Sequence, residues 1–175
     1  MKRSVLTSSL LLAPALLAGC ENNAADTPPS IRLGDSVCDQ CNMIISDERW
    51  ATATIIDGDR GPEPRLFDDF NCQVHYELEH PESVIVGRWS HDHQTHGWIR
   101  TEDAHFVLSP NLRAPMGSGI AAFSTVAEAE SAKATFGGEL MTFGAAWAHL
   151  GPPEACCEAD SSDRGADEGE KHHEP

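Results

Sequence analysis

The chain has 175 residues, with 12 Lys and Arg against 28 Asp and Glu, which gives a formal net charge of −16 at pH 7. This length suffices for one domain or for two very small ones. A surface this acidic argues against nucleic acids and anionic lipid headgroups as partners, because both are negatively charged.

The first residues have the features of an export signal. Lys2 and Arg3 precede an apolar run at 10–17, which is too short to span a bilayer. The run ends in Leu-Ala-Gly-Cys, which matches a bacterial lipobox with Cys20 as the acylated residue. We therefore predict a lipoprotein signal peptide at 1–19. The alternative is an ordinary signal peptide with an incidental Cys.

The predicted location follows from this signal. Several acyl chains on Cys20 would anchor the chain stably, since each buried methylene contributes about 0.8 kcal/mol. Glu21 follows the Cys, so retention in the inner membrane is not indicated, and we predict anchoring in the cell envelope, facing the periplasm, at the outer membrane. That compartment is oxidising. Without Cys20 the six cysteines leave an odd number, so at least one thiol is unpaired, reactive or metal-bound.

Two segments lack the composition of a folded core. Residues 20–36 contain Asn, Ala, Thr and a Pro-Pro pair and are predicted to be a membrane tether. Residues 153–175 are rich in Asp, Glu, Ser and Gly, which predicts a disordered acidic tail. The tail carries two pairs of metal-binding side chains, Cys156-Cys157 and His172-His173. Whether these pairs bind metal stays open, because vicinal cysteines are also readily oxidised.

Between these segments, apolar and β-branched runs predict six strands. They fall at 51–56, 65–67, 84–86, 104–108, 119–123 and 139–142. Asp, Gly and Pro residues at 57–64 predict a long loop after the first strand, and a second loop is predicted at 110–115.

A first helix is predicted after the second strand. Asp68 is its expected N-cap, and His80 before Pro81 is its expected end. The spacing of three apolar residues predicts its buried face, which is formed by Phe70, Val74 and Leu78.

A second and a third helix are predicted in the second half. Thr125 and Glu128 have the spacing of a capping box, and Gly137-Gly138 ends the second helix. Its predicted buried stripe consists of Val126, Ala129, Ala132 and Phe136. A short helix at 143–150 closes the domain.

The order strand–strand–helix–strand therefore occurs twice. Phe67-Asp68 and Phe123-Ser124 hold equivalent places, where a strand runs into a helix cap. This predicts an α+β fold with two tandem ββαβ-type units, at about 37–97 and 98–152, in one domain at 37–152. The two units are expected to pack together, because each core alone would be thin.

The densest group of sulfur donors is Cys38, Cys41 and Met43. Sulfur is a soft ligand that selects Cu(I), zinc or iron–sulfur clusters. Met is not a usual zinc ligand, so Met43 favours copper. The alternative is a disulfide between Cys38 and Cys41 with Met43 as a packing residue, because C-x-x-C is common to both chemistries.

Other candidate ligands lie further along the chain. Met116 occupies a Pro-Met-Gly-Ser-Gly loop, where a ligand role and a gap-filling role are both open. His91, His93 and His96 have side chains that bind cupric copper or zinc, but a solvated polar loop is the preferred interpretation. Cys72, on the first predicted helix, is interpreted as a buried core residue.

Three motifs, in this order, resemble the NosL family. They are C-x-x-C-x-M-x-I from Cys38, F-D-D-x-x-C from Phe67 and P-M-G-x-G-x-x-A-F from Pro115. NosL is the accessory lipoprotein encoded with bacterial nitrous oxide reductase, and the resemblance runs from the lipobox to about residue 150. It implies two ββαβ-type units similar to the accessory portion of organomercurial lyase.

The resemblance also implies a function, namely holding one cuprous ion and delivering it for assembly of the reductase's copper centres. The implied partners are the periplasmic component of the NosDFY ABC transporter complex and, through it, nitrous oxide reductase. By position, Cys41, Met43 and Met116 are the implied Cu(I) ligands, with Cys38 as a further candidate. The tail after Glu154 has no match in the family pattern.

We therefore predict a lipid-anchored, periplasmic Cu(I) metallochaperone that is not an enzyme. The sequence lacks the common hydrolase, phosphate-binding and c-type haem motifs. One alternative is a thiol–disulfide oxidoreductase that uses Cys38 and Cys41, although such a pair usually stands at a helix start after a strand. A structural zinc-binding module is the other alternative.

Overall fold

The structure is a computed structural model that describes residues 26–151. The predicted signal peptide, the lipidation residue Cys20 and the acidic tail at 153–175 lie outside the described residues. Within the described part, no helix combines the length and the apolar character needed to cross a bilayer.

The described chain contains seven strands and three α-helices. In chain order they are β1 (Thr52–Gly58), β2 (Gly61–Phe67), α1 (Phe70–Glu79), β3 (Ile85–His91), β4 (Trp98–Arg100), β5 (His105–Leu108), β6 (Ile120–Phe123), α2 (Val126–Phe136), β7 (Glu139–Met141) and α3 (Phe143–Leu150). Single 3-10 turns at Glu48–Trp50 and Thr101–Asp103 precede β1 and β5.

The strands form two antiparallel sheets, with the orders β2-β1-β3-β4 and β6-β5-β7. In each sheet the first strand of the repeat lies between the second and the third, and the helix connects the second to the third. The predicted α+β class is confirmed. The first sheet has one strand more than the second, because β4 pairs with β3.

The loop predicted at 57–64 is wrong except at 59–60, because Asp57 and Gly58 end β1 and Gly61–Phe67 forms β2, which pairs with β1 along its whole length. Pro62 and Pro64 are tolerated because β2 is an edge strand, where a missing N–H costs no ladder hydrogen bond. β3 also runs further than predicted, through His91, because Ser90 pairs with Thr52 of β1.

Helix α1 differs from prediction at its start and on its buried face. Its N-cap is Asp69 and not Asp68, and no side chain caps it. Leu78 is 42% exposed, whereas Phe70 and Val74 are buried as predicted. Polar residues take the place expected for Leu78, because Gln73 and Glu77 are buried against the first sheet.

A hydrogen-bond network explains this polar face. Gln73 Nε2 donates to Ala53 O at 3.0 Å and to Thr54 Oγ1 at 2.9 Å. Thr54 Oγ1 donates to Glu77 Oε1 at 2.5 Å, and Glu77 pairs with Arg88 of β3 at 2.6 Å. The Gln73 amide NH2, the Thr54 hydroxyl and the Glu77 carboxylate each meet a partner, which offsets the cost of their desolvation.

The second unit follows its predictions more closely. Thr125 and Glu128 form the predicted capping box, and Gly137 ends α2. Ala129 and Ala132 are buried, and Phe136 packs against the same core. Val126 departs from the predicted stripe, since it stands in the first turn and is 49% exposed.

The two units share their cores. Phe70 and Val74 of α1 pack with Phe106 and Ile120 of the second sheet, and the Phe70 and Phe106 rings stack at 5.0 Å. Trp50, which precedes β1, packs in the core under α2. This mutual burial removes apolar surface that neither unit could cover alone.

The predicted solvated loop is wrong for His91 and His93 and right for His96, which is exposed in the turn between β3 and β4. His91 belongs to β3 and is buried, and the ring of the half-buried His93 packs edge-on against Trp50 at 4.8 Å. The His93 N–H donates to Ala122 O of β6 at 2.8 Å. The segment after β3 is therefore a junction between the units, because the His93 N–H finds its acceptor in the second sheet.

Asp92 holds this junction together. Its Oδ2 accepts the Ser124 N–H at 2.6 Å, and its Oδ1 accepts the N–H groups of Gln94 at 2.9 Å and Thr95 at 2.7 Å. Although burial alone would raise the pKa of Asp92, the hydrogen bonds from Thr95 and Ser124 lower it below its ordinary value. The ionised carboxylate is the form that fits this site.

We expect Asp92→Ala to lower the free energy of unfolding by about 3 kcal/mol, because three backbone donors lose a charged acceptor. Urea denaturation of the full chain measures the change. Asp103→Ala removes an exposed carboxylate near β5 and should leave stability almost unchanged. Equal losses in the two variants would show that Asp92 does not join the units.

Candidate metal centre

Three cysteines converge at the surface of the first unit. The sulfur atoms of Cys38, Cys41 and Cys72 all lie within 4.8 Å of one another. All three are free thiols, so the alternative of a Cys38–Cys41 disulfide is not what the structure contains. Cys38 and Cys72 are buried, and Cys41 is half-buried. The cluster therefore offers two enclosed sulfurs and one nearer to solvent.

A tight loop positions Cys38 and Cys41. The Cys38 N–H donates to Met43 O at 2.8 Å, and the Asn42 N–H donates to Cys38 O at 3.0 Å. Asn42 has a φ of 59°, a left-handed conformation that Asn tolerates better than most residues. The reversal brings the Cys41 N–H to 3.5 Å from the Cys38 sulfur.

The free edge of β2 fixes this loop on the sheet. The Asp39 N–H donates to Leu66 O at 2.8 Å, and Asp39 Oδ2 accepts the Leu66 N–H at 2.6 Å. Edge strands carry unpaired backbone groups on their outer side. Asp39 satisfies both groups of Leu66, so the edge is covered and the loop is held at one register.

Cys72 comes from helix α1, as its third residue. Its N–H donates to Asp69 O at 3.0 Å in the first turn. The interpretation of Cys72 as a core residue is right about its burial but misses its two sulfur neighbours. The F-D-D-x-x-C motif contained the available signal, since a third Cys near a C-x-x-C pair fits a soft-metal site.

One thiol of the cluster is strongly acidic. The pKa of Cys38 falls from 9.0 to about 5, first because the Cys72 thiol donates to its sulfur, and then because backbone N–H groups of Cys41, Asp68 and Gln40 do the same. Burial opposes this effect. The pKa of Cys72 is raised, since its thiol acts as the donor. Burial raises the pKa of Cys41. The cluster therefore carries one negative charge, centred on Cys38, at neutral pH.

Two buried carboxyl groups lie beside the cluster. Burial, followed by the charge of Cys38, raises the pKa of Asp68 to about 6. Burial also raises the pKa of Asp69. Excess negative charge in a partly dehydrated region favours a bound cation, since the cation lowers the repulsion among these groups.

The two methionines predicted as ligands lie on exposed segments. Met43, in the Cys38 loop, is 56% exposed, and Met116, in the loop before β6, is 41% exposed. Their exposed thioethers contrast with the buried thiols of Cys38 and Cys72.

Hydrogen bonds hold the Met116 loop against the start of α1. Asp69 Oδ2 accepts the N–H groups of Met116 at 3.1 Å and Ser118 at 3.2 Å. Asn71 Nδ2 donates to Met116 O at 3.0 Å. Since Cys72 follows Asn71 directly, the Met116 loop of the second unit contacts the helical turn that carries the Cys72 thiol.

Histidines do not join this centre. Among residues 26–151, the three cysteines are the only group of three or more His, Cys, Asp or Glu side chains whose ligand atoms approach within 4.8 Å. The donors near one another are therefore thiols, with thioethers on adjoining segments. Such a donor set suits soft, low-coordinate cations better than hard cations.

Comparison with known proteins gives a consistent result. The family model of NosL matches residues 32–147. The structure is similar to a solved structure described as the copper chaperone NosL from Shewanella denitrificans, with a TM-score of 0.52 and 20% identity over 67% of this chain and 96% of that chain. At this identity the likeness shows a shared fold. A search of curated proteins found no match.

We expect the reduced, metal-free protein to show one thiolate that titrates near pH 5, because Cys38 has a pKa of about 5. The ultraviolet absorbance of thiolates, followed against pH, measures this step. As an acid with a lowered pKa, Cys38 stabilises the fold above its ordinary pKa of 9.0, and this contribution is lost as the pH falls through about 5.

Substitutions identify the thiol that produces this titration step. Cys38→Ser should abolish it, and Cys72→Ala should move it to higher pH by removing the main hydrogen-bond donor. The paired substitution Cys156→Ser and Cys157→Ser, in the tail, is the control and should leave the step in place. Persistence of the step in Cys38→Ser would contradict this assignment.

Proposed function

Since this chain belongs to the NosL family, we propose that it is a copper chaperone, which holds one Cu(I) ion at the cysteine cluster and delivers it for maturation of nitrous oxide reductase. The observation that carries the proposal is the convergence of three free thiols within 4.8 Å. A cuprous ion takes few ligands and prefers sulfur, so this cluster supplies the donors that it requires.

The distribution of the donors supports a carrier rather than a permanent metal site. Cys38 and Cys72 are buried, whereas Cys41 is half-buried and Met43 and Met116 are exposed. An incoming sulfur ligand from a partner can replace the exposed donors first, while the buried thiols retain the ion. Stepwise exchange of this kind avoids releasing free copper.

Copper is favoured over zinc by the thioethers. Structural zinc sites are closed tetrahedra of Cys, His or carboxylate ligands. Within residues 26–151 only three such ligands meet, and the additional donors on adjoining segments are Met43 and Met116. Two or three soft sulfurs satisfy Cu(I), whereas zinc would need a fourth ligand.

The loop geometry argues against a thiol–disulfide oxidoreductase. Cys38 and Cys41 lie in a reversal between the bridged residues Val37 and Ile44, and no helix starts at the pair. Redox-active C-x-x-C motifs usually stand at a helix N-terminus, which lowers the pKa of the exposed thiol. In this chain the acidic thiol is the buried Cys38. We therefore propose a role in binding and not in catalysis.

Location and partners complete the proposal. Acylation at Cys20 would tether the domain to the outer membrane on its periplasmic side. The part of the predicted tether at 29–36 packs on the domain, so only the residues before it would give reach. The proposed recipient is the periplasmic component of the NosDFY transporter complex, which would pass copper to nitrous oxide reductase. The exposed Met43 and Met116 support transfer from the side of the cluster that faces solvent.

We expect the reduced protein to bind about one equivalent of Cu(I), and the double variant Cys41→Ser and Met43→Ala to lose this binding. The loss should exceed the about 10–100-fold that removal of an outer-shell partner costs. Competition with a chromophoric Cu(I) chelator measures the affinity. The tail variant with both Cys156 and Cys157 changed to Ser is the control and should bind normally.

Two results would overturn the assigned site. One is unchanged Cu(I) affinity in the double variant at Cys41 and Met43. The other is a preference for zinc when the protein is produced with both metals available. X-ray absorption of the copper-loaded protein should find few neighbours, mainly sulfur.

We expect Asp69→Ala to weaken Cu(I) binding, because its carboxylate positions the Met116 loop. If Asp69 acts through that thioether, the effects of Asp69→Ala and Met116→Ala will not add, and the double variant will bind as weakly as Met116→Ala alone. Asp69→Asn keeps one oxygen acceptor and should recover part of the affinity. Additive losses in the double variant would refute this coupling.

A further inference from the structure

A second group of metal-binding side chains lies away from the sulfur cluster. The N-terminal segment at 29–33 and the β3–β4 turn line a cleft of about 320 Å³. His91, His96, Glu48 and Trp98 are among its lining residues, and neither Cys nor Met is. The cleft therefore presents nitrogen and oxygen donors, in contrast to the sulfur cluster.

The β3–β4 hairpin brings the two imidazoles into this cleft. His91 pairs across the strands with Trp98, and their ring centroids are 3.7 Å apart. His96 stands in the turn, two residues before Trp98. Hydrogen bonds at 2.8 Å, from His96 N–H to Asp92 O and from Asp92 N–H to Gly97 O, fix the turn.

His96 has a left-handed backbone conformation. Its φ of 58° lies in a region that few residues other than Gly enter, although Asn, Asp and His enter it more often than the rest. The two hydrogen bonds of the turn fix this conformation and keep His96 at the wall of the cleft.

Both imidazoles have one ring nitrogen fixed by an oxygen acceptor. His91 Nδ1 lies 3.0 Å from Ala51 O, and His96 Nδ1 lies 2.9 Å from Glu48 Oε1. Since a carbonyl and a carboxylate only accept, Nδ1 of each ring is the donor, and Nε2 has the lone pair in the neutral ring. Metal-binding His residues typically have this outer-shell arrangement.

We propose that His91 and His96 bind a borderline divalent cation, Cu(II) or Zn(II), through their Nε2 atoms, with water completing the coordination. Imidazole is the protein ligand that suits these ions best. Glu48 is a positioning residue, because it orients the ring of His96. The site is independent of the Cu(I) site proposed above, since it uses no sulfur.

Burial supports the ligand state of the inner His. It lowers the pKa of His91, against the hydrogen bond to Ala51 and the charge of Glu48, so the ring is neutral near pH 7. His96 is more exposed and stands on the turn, so its ring can adjust to an ion held by His91. With His91 fixed and His96 adjustable, a cation can enter the site from solvent.

The probe is Cu(II), added to the full-length protein after its thiols have been filled with Ag(I). Silver occupies the soft sulfur ligands, so that they neither capture nor reduce the Cu(II). Pulsed electron paramagnetic resonance should count two imidazole ligands on the bound ion. Cu(II) should also quench tryptophan fluorescence, and Trp98→Phe should remove most of the quenching.

Variants separate this cleft from the other histidines. His96→Gln should leave one imidazole on Cu(II), and Glu48→Gln should weaken binding by about 10–100-fold, as expected for an outer-shell partner. His149→Gln on α3 and the tail variant with His172 and His173 changed to Gln are the controls and should retain the two-imidazole signal. His91→Gln tests the buried ligand.

The outcome is decided even if His91→Gln does not fold, because His96 is exposed and its substitution leaves the His91–Trp98 contact in place. The proposal is overturned if His96→Gln retains both imidazoles and the Cu(II) affinity. It is also overturned if the tail variant alone loses the signal. Loss of Cu(I) binding would leave this test unaffected.

Discussion

Helix α1 is the element on which the arrangement of the metal centre depends, because both of its faces are buried against different sheets. Gln73 and Glu77 contact the first sheet through hydrogen bonds, and Phe70 packs on Phe106 of the second. The first turn of the helix carries Cys72, which packs in the core of the first unit, next to Asn71, which contacts the second. A shift of α1 would separate this thiol from the other two. The packing of α1 therefore also sets the geometry of the three sulfur ligands.

The polar network under α1 fixes its rotation as well as its position. Glu77 is buried and pairs with Arg88, whose guanidinium also lies 5.1 Å from the ring centre of Trp147. Turning the helix by one residue would bury the Glu77 charge without its partner, which costs several kcal/mol. An apolar residue in its place would tolerate such a rotation. The polar face therefore specifies one orientation, and through it the direction in which Cys72 points.

Much of the fold was predictable from the sequence because its signals are local. The capping box at Thr125 and Glu128, the Gly137 end of α2 and the repeated order of elements depend on neighbours in the chain. The errors involve contacts between distant segments. The strand role of Pro62 depends on an edge position, and the burial of His93 depends on Trp50 and the second sheet. Periodicity within one segment contains no information on either.

The same limit applies to the metal centre. The C-x-x-C loop identified Cys38 and Cys41, but Cys72 joins them only through tertiary packing. Its role also changes the electrostatics, since the thiol of Cys72 makes the largest contribution to the acidity of Cys38. A buried thiolate that accepts hydrogen bonds is held in place before any metal arrives. The ion therefore meets a charged, preorganised ligand, and the exposed donors can adjust around it. Preorganisation at the buried side and freedom at the exposed side are the two properties that a metal carrier needs.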